Sequence, residues 1–211
     1  SRIESGTMQM STTHIDTRRT VDAAVALVQP LAVEKDIRLT IDTAADPRAS
    51  SCVGDERGVR QALANLLSNA VKFTNPGGEV TLTCSLSKPI AGSYLDGESM
   101  YVAICVSDTG IGIEKEKLGR LFQPFTQLEA DGNPYTRQTT GAGLGLSISR
   151  HLARMMGGDI TVESNLQRGS AFTLWLPASS DGIGRRSVAA APTAESMVPE
   201  LASQGTRNDD A

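Results

Sequence analysis

Several segments of the chain carry apolar residues at helical spacing. The clearest begins after Asp55, a good N-cap residue, and is predicted to run to about Phe73 with apolar side chains three and four positions apart. Those positions are Val59, Leu63, Leu66, Leu67 and Ala70. Similar spacing predicts a helix over 21–35, which contains Pro30. It also predicts a helix over 144–156, followed by a glycine pair that favours a left-handed helix end. A shorter helix is predicted over 115–122.

Alternating and continuous apolar runs predict the strands. These runs cover 37–41, 80–86, 100–107, 160–163 and 171–176. Residues 126–143 form a polar stretch without periodicity, and a loop of that length in a compact domain is often functional. Because helices and strands mix without a regular βαβ rhythm, the pattern favours an α+β two-layer sandwich over a doubly wound sheet.

Composition and charge narrow the class of protein. The 211 residues include 20 Lys and Arg against 24 Asp and Glu, and the net charge of −4 argues against a protein that coats nucleic acid. No apolar run approaches the roughly 20 residues of a membrane-spanning helix. Cys52, Cys84 and Cys105 match no metal-binding spacing, so we expect buried free thiols in a reducing compartment.

The two ends of the chain differ from its middle. Residues 179–211 are rich in Ala, Ser, Gly and Pro without a hydrophobic period, which predicts a disordered tail or a linker. The chain begins at Ser1, with neither a methionine nor a signal segment, and we expect it to be a piece of a longer protein.

Polar side chains of the helix after Asp55 share one face. Asn65, Asn69 and Lys72 fall within an arc of about 60°, away from the apolar stripe. Amide oxygens can ligate Mg²⁺, and a lysine supplies a point charge to phosphate. The alternative is an ordinary solvated helix face.

Two stretches that contain glycines add candidate chemistry. Asp108 follows an apolar strand, where its carboxylate can accept from an exocyclic amine, and Gly110 and Gly112 let the backbone approach a flat ring. The alternative there is a turn capped by the aspartate. The glycines of 141–146 open the last helix, whose N–H groups and dipole suit phosphate. They follow a polar loop and not a strand, which argues against a Rossmann dinucleotide motif.

Five motifs, in their order and spacing, resemble the N, G1, F, G2 and G3 boxes of sensor histidine kinases. They are NLLSNAVKFT (65–74), DTGIGI (108–113), FQPF (122–125), GAGLGL (141–146) and GSAF (169–172). The resemblance covers about 20–177. It implies the Bergerat fold of the GHKL proteins, an α+β sandwich in which three helices cover a mixed β-sheet. It also implies that Phe122 and Phe125 anchor 126–143 as a mobile lid over ATP.

The resemblance further implies a site for ATP and Mg²⁺. Asn69 would ligate Mg²⁺, and Asp108 would bind the adenine amine. Asn65, Lys72 and Arg137 would act at the phosphates as catalytic residues. The residues implied to bind the nucleotide are Asn65, Asn69, Lys72, Phe73, Asp108, Gly110, Gly112, Ile113, Phe122, Phe125, Gly141, Gly143, Leu144, Gly145 and Ser170.

Two positions depart from the commonest pattern of that family. Thr140 stands where many members have glycine, and Ala142 stands where threonine or serine is usual. Our hypothesis is that nucleotide binding is somewhat weaker, or that the motion of the lid is altered, without loss of the site.

The implied activity is that of a histidine protein kinase catalytic domain, which transfers the γ-phosphoryl group of Mg-ATP to a histidine. Neither His14 nor His151 matches the acceptor motif, so the acceptor is expected on a dimerisation domain absent from this chain. Residues 1–6 resemble the last turn of that domain. The expected organisation is therefore a remnant of it with a linker (1–17), the catalytic domain (18–178) and a tail or linker (179–211).

The implied partners are the phosphoacceptor domain of a homodimeric parent and a downstream response regulator or receiver domain. No nucleic acid is expected, the isolated fragment should be monomeric, and the domain should be cytoplasmic whether or not the parent is anchored in a membrane. One alternative is an ATPase like gyrase B or the MutL proteins, which carry a glutamate where this chain has Asn65. Others are a kinase that phosphorylates serine, and a degenerate module that only binds a nucleotide or partner.

Overall fold

The computed structural model describes residues 11–90, 93–126 and 143–179. Its helices are α1 (Thr17–Glu34), α2 (Glu56–Phe73), α3 (Lys115–Leu118) and α4 (Gly145–Met155), with a 3-10 turn at Pro47–Ala49. Its strands are β1 (Thr13–Asp16), β2 (Arg38–Asp42), β3 (Ser51–Gly54), β4 (Glu79–Ser87), β5 (Tyr101–Asp108), β6 (Asp159–Asn165) and β7 (Gly169–Pro177).

A mixed sheet forms one layer, with its strands in the order β2-β4-β5-β7-β6. Strands β2 and β4 are parallel, and the other neighbours are antiparallel. In β4 the buried Val80, Leu82 and Cys84 alternate with residues that face away from the core, so the period of two directs one face inward. Strands β1 and β3 pair as a separate two-stranded sheet. This architecture confirms the predicted α+β sandwich.

Helices α1, α2 and α4 form the second layer on one face of the sheet. Helix α2 touches both other helices, and its Leu63, Leu66 and Leu67 are among the largest fully buried side chains. Burial of one such leucine is worth roughly 1.5–3 kcal/mol relative to an exposed one. The other face of the sheet carries a smaller apolar cluster around Tyr101 and Trp175. Helix α2 is thus fixed by packing on both of its sides.

The start of α2 agrees with the prediction. Asp55 adopts an extended backbone, and its Oδ1 accepts a 2.8 Å hydrogen bond from the Gly58 N–H. That bond is the largest of several that hold the pKa of the Asp55 carboxyl below its usual range. A fixed start sets the rotation of the helix, and therefore the direction in which its polar face points.

Strands β1 and β3 were not predicted, because four-residue strands carry too little alternation to be recognised. Residues 13–16, assigned to the remnant and linker at the N-terminus, form β1, and Ile15 is buried in the core, so the ordered domain begins earlier than expected. Helix α1 begins at Thr17, not at Val21, because Asp16 caps it. Helix α3 ends at Leu118, four residues before the predicted end.

Two further sequence-based expectations can be compared with the structure. Cys52 and Cys84 are buried and Cys105 is half-buried, and all three are free, which confirms the expected thiols. Across 11–90, 93–126 and 143–179, none of the helices has the length and apolar character needed to span a bilayer.

Candidate functional site

The polar face of α2 meets the beginning of α4. The Nδ2 of Asn65 donates a 3.0 Å hydrogen bond to Ser149 Oγ, and Ser149 is buried. Gly145 packs directly on the same amide, since a Cβ at this position would lie 2.4 Å from Asn65 Oδ1. Asn69 lies one turn further along α2 and is half-buried. The two amides predicted at this face are therefore neighbours, and one of them is held in place by α4.

The last turn of α2 adds a cation and an aromatic ring. The Nζ of Lys72 lies 5.1 Å from the centroid of the Phe73 ring, which is within the range of a cation–π contact. Burial holds the pKa of Lys72 below its usual value. Lys72 and Phe73 are thus in contact at the C-terminal end of α2, and their predicted roles stay predictions.

Asp108 lies at the end of β5 in a nearly closed environment. Its side chain is 9% exposed, and its Oδ1 accepts a 2.8 Å hydrogen bond from the Gly110 N–H. Burial raises the pKa of Asp108, although backbone hydrogen bonds from Gly110 and Ser170 oppose the shift. A partly desolvated carboxylate of this kind is a strong acceptor for an N–H donor of a ligand.

The loop after Asp108 is packed so tightly that only glycine fits at two positions. A Cβ at Gly110 would lie 2.3 Å from the Phe73 carbonyl oxygen, and one at Gly112 would lie 2.0 Å from that of Asn165. Gly112 also has a φ of +66°, which favours glycine. The Ile111 N–H donates to the Phe73 carbonyl across 3.2 Å. This bond joins the Asp108 loop to the end of α2, so the two halves of the predicted site are in direct contact.

Ser164 links two of the predicted residues. Its Oγ accepts a 2.8 Å hydrogen bond from the Ile113 N–H and lies 3.0 Å from Ser170 Oγ. Ser170 is buried next to Asp108. Sequence analysis missed Ser164, because a serine near the end of a strand carries no pattern that distinguishes it from a surface residue.

The segment around Phe122 differs from the prediction in one respect. Phe122 is half-buried and the Cζ of Arg150 lies 4.4 Å from its ring centroid, consistent with an anchor. The Phe125 side chain is 74% exposed, so its ring does not anchor this segment by burial. Its backbone has a φ of +62° and approaches Gly143, where a Cβ would lie 3.0 Å from the Phe125 carbonyl carbon.

An open groove of about 520 Å³ lies beside this segment. Its lining combines apolar and basic side chains and includes Gln61, Phe122, Pro124, Leu144, Ile148 and Arg154. Leu144 thus lines this groove, and Ile148 is 44% exposed on α4. The groove thus exposes apolar side chains next to residues predicted to bind the nucleotide.

Some predicted site residues lie outside the described part of the chain. These are Arg137 and Gly141, together with the unusual Thr140 and Ala142. Their predicted roles stay predictions.

The donor set near α2 fits a nucleotide-bound magnesium ion better than an independent metal centre. In the described ranges, no group of three or more His, Cys, Asp and Glu side chains could hold a metal. On the predicted polar face of α2, the amides of Asn65 and Asn69 supply oxygen atoms. Because Mg²⁺ is commonly held by few protein ligands together with phosphate oxygens, these residues fit an ion that arrives with the phosphates.

Comparison with known proteins identifies what this arrangement is similar to. Residues 54–180 match the family described as histidine kinase-, DNA gyrase B- and HSP90-like ATPase. An uncharacterized sensor-like histidine kinase of Rhizobium meliloti (strain 1021) is 35% identical over 205 residues, which cover 95% of this chain and 35% of that protein. Hybrid signal transduction histidine kinase B of Dictyostelium discoideum is 36% identical over 178 residues, which cover 84% of this chain and 8% of that protein. The chain thus spans only a minor part of these relatives.

Solved structures show the same fold. Full-length ShkA in complex with AMPPNP is 32% identical with a TM-score of 0.63, and the match covers 81% of this chain and 32% of that one. The catalytic domain of histidine kinase ThkA is 23% identical with a TM-score of 0.61, and the match covers 80% of this chain and 99% of that one. The second match extends over nearly the whole of that chain, so the two share the fold from end to end.

Proposed function

Since the chain belongs to the family of histidine kinase-, DNA gyrase B- and HSP90-like ATPases, we propose that this ATP-binding domain transfers the γ-phosphoryl group of ATP to a histidine of a separate dimerisation domain. The observation that carries the proposal is the junction at Phe73. Its carbonyl accepts from Ile111 and brings the Asp108 loop against the end of the helix that carries Asn69 and Lys72. Asp108, the hydrogen-bond acceptor for the adenine base, thereby forms one site with the residues of α2 that bind phosphate and metal.

The adenine end is assigned to the residues around Asp108. A buried carboxylate with one oxygen bonded to Gly110 can use its other lone pairs to accept from the exocyclic amine of adenine. The absence of side chains at Gly110 and Gly112 lets the ring lie against the backbone. Ser170 supplies a hydroxyl at the floor of this end, and Ile113 belongs to the same loop.

The phosphate end is assigned to α2 and the start of α4. Lys72 contributes positive charge, the amide of Asn69 contributes a magnesium ligand, and Asn65 lies beside it at the phosphates. Magnesium, when bound, would neutralise part of the phosphate charge. Gly143, Leu144 and Gly145 bring the backbone of the α4 entrance to the same place, where helix N–H groups favour an anion.

The side chain at position 65 favours transfer to another protein over hydrolysis. Asn65 is a neutral amide bonded to Ser149, and it cannot accept a proton from water. Phosphoryl transfer depends mainly on positioning and charge neutralisation, so the domain can supply both while the nucleophile comes from the partner. The groove beside Phe122 and Ile148 is the surface that we assign to that partner, because it adjoins the phosphate end and exposes apolar side chains.

This function sets the place of the domain in a larger protein. The parent would be a homodimer through its acceptor domain, and the phosphoryl group would pass on to a response regulator or receiver domain. The chain would contribute a cytoplasmic catalytic domain over about 13–178, since β1 and the buried Ile15 belong to its fold, with 1–12 and 179–211 as connections to neighbouring domains.

Phosphotransfer to a separate acceptor tests the proposal. The 211-residue chain is mixed with the purified dimerisation domain of its parent and with ATP labelled at the γ-position. We expect label on the acceptor as acid-labile phosphohistidine, its loss in Asp108→Asn, and a strong decrease in Ile148→Glu without loss of nucleotide affinity. Release of free phosphate in the absence of an acceptor, at a rate that the acceptor does not change, would instead indicate an ATPase.

A further inference from the structure

The carbonyls in the last turn of α2 all have hydrogen-bond partners. The final carbonyls of a helix have no partner within the helix, and here each of the last four finds one. The Ala70 carbonyl accepts from Thr74 N–H at 3.0 Å and from Thr74 Oγ1 at 2.7 Å. The Phe73 carbonyl accepts from Ile111 N–H. The carbonyls of Val71 and Lys72, which lie between those of Ala70 and Phe73, require a donor from another part of the chain.

Lys35, at the end of α1, supplies that donor. Its Nζ donates to the Val71 carbonyl across 2.9 Å and also to the Lys72 carbonyl. Among the described residues, the hydrogen-bond partners of this ammonium are thus two carbonyls and not a carboxylate. A hydrogen bond from a charged donor is roughly twice as strong as a neutral one, and a cation at the end of a helix also interacts favourably with its dipole.

The main chain around Lys35 is fixed independently of its side chain. Asp36 adopts a left-handed conformation with a φ of 56° and ends α1. Its carbonyl accepts from Gly77 N–H at 2.8 Å, and Arg38 N–H donates to the Gly78 carbonyl at 2.9 Å. Removal of the ammonium should therefore leave the turn in place and release only the end of α2.

We propose that Lys35 is a positioning residue for the phosphate end of the site. It holds the turn of α2 from which Lys72 projects, and the ordered position of Lys72 depends on it. The proposal rests on the proposed function, since it deepens the role assigned to Lys72. Lys35 lies 37 positions from Lys72 and outside all five boxes, so no part of the motif comparison pointed to it.

Electrostatics supports this placement. Burial holds the pKa of Lys35 below its usual value, and the neighbouring Lys72 ammonium lowers it further. Two cations therefore lie close together at one end of α2. Such a pair is unfavourable in the free protein and becomes favourable when an anion binds nearby, so Lys35 also adds to the positive potential that a triphosphate meets.

The test compares ligands with and without phosphates. Affinities for AMPPNP with Mg²⁺ and for adenosine are measured by NMR titration of the 211-residue chain and its variants. In Lys35→Met we expect AMPPNP affinity to fall about five- to tenfold, and adenosine affinity to stay within about twofold of wild type. Lys35→Arg should restore most of the affinity, because a guanidinium can donate to both carbonyls. Lys88→Met, which removes an exposed cation paired with Glu98, is the matched control.

Each outcome is decisive. Unchanged AMPPNP affinity in folded Lys35→Met would overturn the proposal, as would an equal loss for adenosine, because the site would then be damaged as a whole. If Lys35→Met does not fold, Lys35→Gln takes its place, since its amide is one atom shorter and cannot serve both carbonyls. Failure of wild type itself to bind AMPPNP would count against the proposed function, and so would be distinct from a failure that concerns Lys35.

Discussion

Asn65 and Ser149 join the two helices that form the phosphate end of the site. The Asn65 amide donates to the Ser149 hydroxyl across 3.0 Å, and its oxygen side packs against Gly145. The orientation of this amide is therefore determined by α4 and not by α2 alone. A side chain that motif comparison identifies as functional thus depends on a buried serine that the motifs do not include.

Removal of the Ser149 hydroxyl should affect both stability and binding. We expect Ser149→Ala to lower the free energy of unfolding by about 1 kcal/mol, the usual value of one hydrogen bond, and to weaken Mg-AMPPNP binding because Asn65 loses its fixed orientation. Denaturant titration and calorimetry measure the two effects. Ser147→Ala is the control, since that hydroxyl bonds the Leu144 carbonyl and not Asn65. Equal affinities for the two variants would contradict the orienting role.

Asp108 should show a trade-off between binding and stability. Its pKa is raised by burial, so the charged form is disfavoured in the folded protein. The amide oxygen introduced by Asp108→Asn can still accept from Gly110, while the buried charge is gone. We therefore expect the variant without nucleotide to be at least as stable as wild type at pH 7.

The pH dependence of this trade-off has a definite sign. Because the folded pKa is raised, the Asp108 carboxylate lowers the free energy of unfolding of wild type once the pH rises above 3.8, the ordinary value for an aspartate. The loss reaches its full size above the folded pKa. The stability of Asp108→Asn relative to wild type should rise over that range and stay constant at higher pH. Urea titrations between pH 3 and pH 8 measure it, and a variant that becomes relatively less stable with rising pH would refute the assignment.

Substitution by alanine should change stability very differently at two of the glycines. A Cβ at Gly112 would lie 2.0 Å from the Asn165 carbonyl oxygen at a φ of +66°, whereas nothing lies within 4 Å of one at Gly119. We expect Gly112→Ala to destabilise the domain by roughly 2–4 kcal/mol, or to prevent folding, and Gly119→Ala to be nearly neutral. Thermal unfolding of both variants tests this. Similar melting temperatures would show that the loop relaxes without cost.

The environment of Asp159 predicts that the free energy of unfolding falls in acid. Burial alone would raise its pKa, but hydrogen bonds from Arg150 and Arg154 outweigh burial and hold the pKa at about 2. Because the pKa is depressed, the stabilisation is complete above about pH 4 and is lost as the pH falls toward 2. The shift corresponds to about 2 kcal/mol.

In Asp159→Asn we expect that contribution to disappear at neutral pH, together with most of the acid dependence between pH 4 and pH 2. The exposed Asp96 supplies the comparison: hydrogen bonds from Ser99 and Glu98 also lower its pKa, but solvent screens an exposed carboxylate, so Asp96→Asn should change stability far less. An acid unfolding profile of Asp159→Asn that runs parallel to that of wild type would show that another carboxylate is responsible.

Local patterns were sufficient to predict most of the fold. The helix after Asp55 could be predicted because its cap and its apolar stripe agree, and β4 because its buried residues alternate. Strands β1 and β3 could not, since each depends on the other and on Ile15 reaching the core. Such pairing is a tertiary property that a four-residue segment does not reveal.

In the site too, local patterns predicted some residues, while others depend on tertiary contacts. Asn65, Asn69 and Lys72 could be placed on one face from helical periodicity, and Asp108 with its glycines from the motif. Lys35 could not be found in this way, because its contact with α2 depends on where two distant chain segments cross. The exposure of Phe125 was likewise not predicted, because nothing in the FQPF motif indicates its left-handed backbone or its exposed ring.

The most direct test of the central claim is calorimetric titration of the 211-residue chain with AMPPNP, with and without Mg²⁺, beside Asp108→Asn. We expect micromolar binding that Mg²⁺ modulates and that Asp108→Asn abolishes. Absence of binding to the folded wild-type chain, or equal binding by Asp108→Asn, would contradict an ATP site built on Asp108 and the polar face of α2.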